Sequence, residues 1–216
     1  MSFSTPATES AGQDASLGSG RTLAYRLSKI ITEALAPWVV IVILALAMAW
    51  KATSYRVGPT LLWAAVVTLF SAAIPMWVIT YGSRAGRWDG HHVRNREGRK
   101  IPFLVCIGST VFSVLATSVG HAPRPMVAMA WVMLAVLLVT AAITVKWKVS
   151  MHTAVSGGGV AMLWLLYSPL ALLLLVVVGL IGWSRVVVRD HTAAQVAVGA
   201  IVGFVVSGVL YAVVTA

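Results

Sequence analysis

The chain has few charged residues, very few acidic residues and a single cysteine. Only 10% of its 216 residues are charged and 59% are hydrophobic, whereas ordinary soluble domains have about 25% charged residues. This composition excludes a soluble globular domain. Because Cys106 is the only cysteine, the chain can form neither an intramolecular disulfide nor a metal site built from cysteines.

The shortage of acidic residues leaves a large positive charge. Six Asp and Glu face sixteen Lys and Arg, which gives a net charge of +10. Most of the chain is apolar, so this charge must lie on a small polar surface that meets anions. Basic loops can also simply orient helices in a membrane. The expected partners are therefore a lipid bilayer and an anion, and not nucleic acid, while the oligomeric state stays open.

Apolar runs predict an all-α, polytopic membrane helix bundle with six or seven transmembrane helices. A hydrocarbon core of ~30 Å requires about 20 apolar residues for each helical pass. Residues 1–28 lack such a run, and we expect a disordered N-terminal tail there, followed by a transmembrane domain over residues 29–216. The predicted passes lie near residues 33–50, 59–81, 101–119, 126–145, 152–167, 169–184 and 192–214.

Alternating passes place most of the basic residues on one face. Thirteen of the sixteen Lys and Arg lie on the face that carries the N-terminal tail, and only Lys51, Arg56 and Arg124 lie on the other. Cytoplasmic loops are enriched in Lys and Arg. We therefore expect a multi-pass protein of the plasma membrane whose basic face is cytoplasmic.

Three consecutive glycines at residues 157–159 resemble a phosphate-binding loop only superficially. They lie inside an apolar pass, where small residues let helices approach closely. We expect these glycines to form a helix-packing surface.

Two histidines mark the basic face as a candidate site. His152 and His191 each lie where a polar loop enters an apolar pass, and two passes separate them. They therefore belong to the same membrane surface, together with the arginine-rich loop at residues 84–100. This placement meets the minimum requirement for a shared site.

Residues 184–195 then resemble a known signature. Ser184 and Arg185 are followed after five residues by His191, as in the third signature of the type 2 phosphatidic acid phosphatase (PAP2) superfamily. Ser150 and His152 are similar to the Ser and His of its second signature. Residues 94–102 are only partly similar to the first signature: they contain its cationic residues and a proline, but not at the usual spacing.

The resemblance implies a PAP2-like six-helix core that brings its signatures together on one face. It also implies a metal-independent phosphatase, without a cofactor, that acts on a lipid phosphomonoester or diphosphate such as phosphatidic acid, phosphatidylglycerol phosphate or a polyprenyl phosphate. In this scheme His191 attacks phosphorus to form a phosphohistidine, and His152 protonates the leaving oxygen and then activates water. Planar guanidinium groups suit phosphate oxygens, and the expected phosphate-binding residues are Arg185, Ser150, Arg99, Arg94 and Lys100.

One position departs from the family pattern. The family has an Asp that orients the nucleophilic His four residues after it, and this chain has Gln195 there. A neutral amide cannot stabilise an imidazolium as a carboxylate does, so nucleophilicity should be lower unless an acid such as Asp89 substitutes. Asp190 points about 100° away from His191 if both lie in a helix. The alternatives are a catalytically impaired protein that binds or transports lipid phosphates, and a lipid phosphotransferase.

The charge asymmetry predicts that residue 90 is cytoplasmic. In a Cys106→Ala background, Gly90→Cys should resist a membrane-impermeant maleimide in intact cells and react with it after permeabilisation. Modification in intact cells would place the basic face outside.

Overall fold

The computed structural model describes residues 22–85 and 100–216, with residues 100–102 described only in their backbone. This part of the chain consists of helices joined by short turns and contains no strand. Its helices are α1 (Thr22–Ala34), α2 (Pro37–Ala52), α3 (Val57–Arg84), α4 (Lys100–Val119), α5 (Arg124–Thr144), α6 (Met151–Leu166), α7 (Leu175–Val187) and α8 (Ala193–Thr215), with a 3-10 turn at Pro169–Leu174 before α7.

Four segments of the described chain are long and apolar enough to cross a membrane. They are α3, α5, the continuous segment Pro169–Val187 and α8, and the bent pair α1 and α2 makes a fifth if it forms one span. The apolar part of α4 (Phe103–Val119) and α6 are shorter. These findings confirm the all-α class and the membrane character, whereas a count of six or seven passes stays a prediction.

The N-terminal boundary differs from the expected one. Residues 22–28, assigned above to the disordered tail, form the first half of α1. The axis then bends by 49° between α1 and α2. Ala36 is extended, with φ −61° and ψ 151°, because a residue that precedes a proline is disfavoured in the helical region. Pro37 therefore ends α1 and starts α2.

A π-helical turn at Leu69–Ala73 interrupts α3. Pro75 follows it, and a proline has no N–H with which to close the helical hydrogen bonds of the preceding turn. The carbonyl of Phe70 instead accepts a hydrogen bond from the Ser109 hydroxyl of α4. The turn is thus stabilised by a neighbouring helix.

α6 is the central helix of the bundle. It packs most extensively on α8 and also contacts α2, α5 and α7. Residues 153–162 are all buried. At about 1.5 Å per residue, the 16 residues of α6 extend only ~24 Å, which is less than the ~30 Å of a hydrocarbon core.

Small residues bring α6 and α8 into close contact. A Cβ atom added at Gly203 would lie 2.0 Å from the Ala154 carbonyl oxygen, and one at Gly157 would lie 2.7 Å from the Ala200 carbonyl oxygen. Gly199 approaches the Ser150 carbonyl in the same way. The expectation that residues 157–159 form a packing surface is confirmed, since each of them contacts a neighbouring helix.

This contact predicts different costs for alanine at two glycines of α8. Gly203→Ala should lower the free energy of unfolding by roughly 2 kcal/mol, because overpacking of a close contact typically costs ~1–3 kcal/mol. The matched control Gly208→Ala should be neutral or stabilising, since its added Cβ meets only a methyl group at 3.7 Å. Thermal unfolding in detergent measures both, and equal effects would contradict the close contact.

Candidate functional site

Two polar connections meet at one end of the bundle. The Lys148 ammonium, between α5 and α6, donates a hydrogen bond of 2.6 Å to the Asp190 carbonyl, between α7 and α8. The Ser150 N–H donates to the Gln195 carbonyl at 3.3 Å. The segments that resemble the second and third signatures therefore lie side by side, as the alternation of passes predicts.

α7 ends in a Schellman motif that sets the geometry of this end. The Asp190 N–H donates to the Arg185 carbonyl at 3.1 Å, and the Arg189 N–H donates to the Val186 carbonyl at 3.0 Å. Arg189 has φ +59°, a left-handed conformation that commonly falls to glycine in this motif. The turn folds the chain back, so that Oδ2 of Asp190 lies 2.8 Å from Nη2 of Arg185.

The Arg185 guanidinium is buried with hydrogen-bonding capacity left over. Its side chain is 3% exposed, and Asp190 pairs with one terminal nitrogen. Among the described residues, Nε and Nη1 have no hydrogen-bond partner, and neither does the buried hydroxyl of Ser150. Buried polar groups normally have partners, since an unmade bond costs about 1–3 kcal/mol. A buried guanidinium with N–H groups that lack partners is suited to an anionic ligand.

Arg185 and both predicted histidines line one cavity of about 410 Å³. Lys148 also lines it, beside His152 and His191. His152 is the second residue of α6, and His191 lies in the turn just before α8. The two histidines, separated by 39 positions in the sequence, therefore face the same space.

Gln195 determines which nitrogen of the neutral His191 ring carries the proton. The Thr192 N–H donates to Oε1 of Gln195 at 3.1 Å, and the Gln195 N–H donates to the Thr192 hydroxyl at 3.3 Å, which forms a capping box. Nδ1 of His191 lies 3.2 Å from the same Oε1. Because an amide oxygen only accepts hydrogen bonds, Nδ1 carries the proton and Nε2 keeps its lone pair.

Burial and nearby cations lower the pKa of His191 from 6.5 to about 4. Burial is the largest cause, and the positive charges of Lys148 and Arg185 add to it. The hydrogen bond with Gln195 and the charge of Asp190 offset part of this effect. The imidazole is therefore neutral at physiological pH, and its lone pair is available without deprotonation.

The structure describes some of the other predicted site residues and not others. Lys100 is the first residue of α4, and only its backbone is described. Gln195 contacts His191, as expected of a residue that orients the ring. The remaining predicted residues lie outside the described part of the chain: Arg94, Arg99 and Asp89.

Two residues of the site were not identified from the sequence. Lys148 was not singled out, although it lies only two residues before Ser150. Asp190 was considered for orienting His191 on the assumption of a helix, but it lies in a turn and pairs with Arg185. If the helix is assumed to end between Arg185 and His191, the chain turns back there and Asp190 can reach Arg185. That assumption could have predicted the pairing of Arg185 with Asp190.

Known proteins offer no independent guide to the site. No family model matches the chain, and neither a curated protein nor a solved structure is significantly similar to it. The resemblance to the phosphatidic acid phosphatase superfamily therefore rests on the short motifs around Ser150, His152, Arg185 and His191, and membership stays a prediction.

The electrostatics predict the direction in which two substitutions move the pKa of His191. Lys148→Met removes a repelling cation and Gln195→Glu adds a carboxylate beside Nδ1, so each should raise the pKa above about 4. Titration of selectively ¹⁵N-labelled histidines by NMR measures the shift. The control Lys146→Met removes the charge of a nearby exposed lysine and should leave the pKa unchanged. A fall in either variant would contradict this electrostatic account.

The same pKa gives a pH dependence of stability. The folded pKa of about 4 is lower than the unfolded value of 6.5, so folding favours the neutral ring. This contribution is complete above pH 6.5 and is lost as the pH falls from 6.5 towards 4. His191→Gln should therefore unfold with a weaker pH dependence than the wild type over this interval.

Proposed function

We propose that the protein is an integral membrane phosphatase that hydrolyses a lipid phosphomonoester or diphosphate through a phosphohistidine. The observation that carries this proposal is the buried Arg185 guanidinium, whose Nε and Nη1 have no partner in the described residues, in a cavity with a neutral His191. A phosphate supplies the negative charge and the acceptor oxygens that these groups lack.

Phosphate binding is assigned first to Arg185 and Ser150. Arg185 is held by Asp190 through one nitrogen, which leaves an edge of the guanidinium for phosphate oxygens. The Ser150 hydroxyl, at the N-terminus of α6, adds a donor where the helix dipole already favours anions. By resemblance to the superfamily, Arg94, Arg99 and Lys100 complete the phosphate-binding set.

In the proposed reaction, Nε2 of His191 attacks phosphorus while the bond to the lipid oxygen breaks. His152 donates a proton to that oxygen, which leaves a lipid alcohol, or a lipid monophosphate if the substrate is a diphosphate. His152 then removes a proton from water, whose oxygen attacks the phosphohistidine and releases inorganic phosphate. Arg185 stabilises the charge on the equatorial oxygens in both steps. The chain's own cations carry this electrostatic role, and the proposal includes no metal or cofactor.

The proposal extends to the membrane arrangement. The site lies at the end of the bundle that carries the connection between α5 and α6, which is part of the basic face. We assign that face to the cytoplasmic side of the plasma membrane and assign six or seven passes in a PAP2-like core. A lipid could then present its phosphate to Arg185 while its apolar part stays in the membrane.

A second candidate function is binding or transport of lipid phosphates without hydrolysis. Gln195 favours it, because the amide holds the His191 ring without the charge that stabilises an imidazolium. A trapped phosphohistidine discriminates between the two functions, since a binding protein forms none. His152→Ala lacks the proposed base for the second step and also the proposed acid for the first. The intermediate should therefore accumulate in this variant from a phosphate ester whose leaving group needs no proton, such as p-nitrophenyl phosphate.

Activity should depend on His191 and Arg185. Detergent-purified protein, assayed with EDTA, should release phosphate from phosphatidic acid, phosphatidylglycerol phosphate or a polyprenyl phosphate. His191→Ala should abolish release, and Arg185→Lys should lower kcat by about 10²–10³, as loss of a well-placed donor does.

The matched control is Arg189→Gly. It removes an exposed arginine four residues from Arg185 and retains the left-handed conformation of the turn, so activity should be close to that of the wild type. Equal phosphate release by the wild type and His191→Ala would refute the phosphatase function.

A further inference from the structure

The cavity that holds the candidate site continues into the apolar interior of the bundle. Its charged end is formed by Arg185, His191 and Lys148, and the remaining lining comes mainly from apolar residues of α2, α3, α4 and α5. Along α5 the lining runs from Thr144 to Met133, roughly three helical turns or ~16 Å. The cavity therefore reaches about halfway through a hydrocarbon core of ~30 Å.

The π-helical turn of α3 borders this apolar part. Ser71 and Ala72, within the turn, line the cavity, and Pro75 and Met76 follow them along the same wall. Bulkier side chains in place of Ser71 and Ala72 would project into the cavity. Because π-turns occur frequently at functional sites, the turn is consistent with a built binding surface.

The volume limits what the apolar part can hold. The whole cavity is about 410 Å³, which lies near the lower end of the ~300–1,000 Å³ that ligand-binding pockets span. One lipid chain with its phosphate can fill such a space. Two chains side by side at the same depth would need about twice the space, nearer the upper end of that range.

We propose that this cavity receives the tail of a single-chain lipid phosphate, with the phosphate at Arg185 and the first part of the tail between α3, α4 and α5. The proposal rests on the phosphatase function proposed above and names its substrate class. Transfer of a tail from lipid to an apolar cavity changes little apolar exposure to water. The cavity therefore selects by shape, and a two-chain glycerophospholipid phosphate must leave a chain outside it.

Photo-crosslinking tests the position of the tail without requiring hydrolysis. Hexadecyl phosphate and a geranylgeranyl phosphate analogue, each with a diazirine in the chain, are irradiated with the His191→Ala protein in nanodiscs. We expect adducts on the cavity-lining segments of α3 and α4, around Ala72 and Cys106, competed by the unlabelled lipid. Adducts confined to lipid-facing residues of α8, such as Val205 and Val209, would overturn the proposal.

A pair of adjacent substitutions tests selectivity. Ala72 is buried and lines the cavity, whereas Ala73 is exposed on the outside of the same turn. Ala72→Phe should lower kcat/KM for the single-chain phosphates by about tenfold or more, because part of the tail then loses its place. Ala73→Phe should leave kcat/KM unchanged, and dioleoyl phosphatidic acid should be hydrolysed less efficiently than either single-chain lipid by the wild type.

The outcomes separate this proposal from the phosphatase function. Cavity adducts without phosphate release from any lipid support the tail site and refute hydrolysis. Phosphate release with equal kcat/KM for one-chain and two-chain lipids, unaffected by Ala72→Phe, refutes the tail site and leaves hydrolysis intact. Preference for the geranylgeranyl over the hexadecyl analogue would identify an isoprenoid tail within the single-chain class, and the reverse preference would identify a straight one.

Discussion

The close contact between α6 and α8 is the constraint on which the candidate site depends. Gly203 lies against the Ala154 carbonyl and Gly199 against the Ser150 carbonyl, so the N-terminal ends of the two helices are held together. His152 belongs to one of these ends and His191 precedes the other. Without a strong hydrophobic force between helices inside a membrane, such small-residue packing provides the attraction. The distance between the two histidines thus follows from backbone contact rather than from flexible loops.

The cavity beside this contact carries an excess of positive charge, from Arg185 and Lys148. Arg185 is buried with only one terminal nitrogen paired to Asp190, and Lys148 and Arg185 both repel a proton from His191. Soluble proteins rarely leave the N–H groups of a buried guanidinium without partners. A phosphate would pair with the guanidinium and would offset the positive charges that, after burial, lower the pKa of His191. Ligand binding and the protonation of His191 are therefore linked.

Much of the helical framework could be predicted from the sequence, because apolar runs and Pro or Gly punctuation mark the ends of α2 to α8. The meeting of residues 148–152 with residues 185–195 followed from the alternation of passes. The course of α1 could not be predicted, since residues 22–28 have no apolar run that would mark them as helical. The bend before Pro37 then separates α1 from α2. The pairing of Arg185 with Asp190 depends on a left-handed Arg189, which no propensity favours, and the cavity arises from side chains of several helices far apart in sequence.

The short, enclosed α6 has a consequence for how the protein responds to its membrane. Helices that contact lipid tilt or shift when the bilayer becomes thinner or thicker. Residues 153–162 of α6 are buried within the protein, so such changes reach His152 only through its neighbours. The end of the bundle that carries the candidate site is thereby shielded from changes in membrane thickness. The same chain could then keep one site geometry in membranes of different thickness.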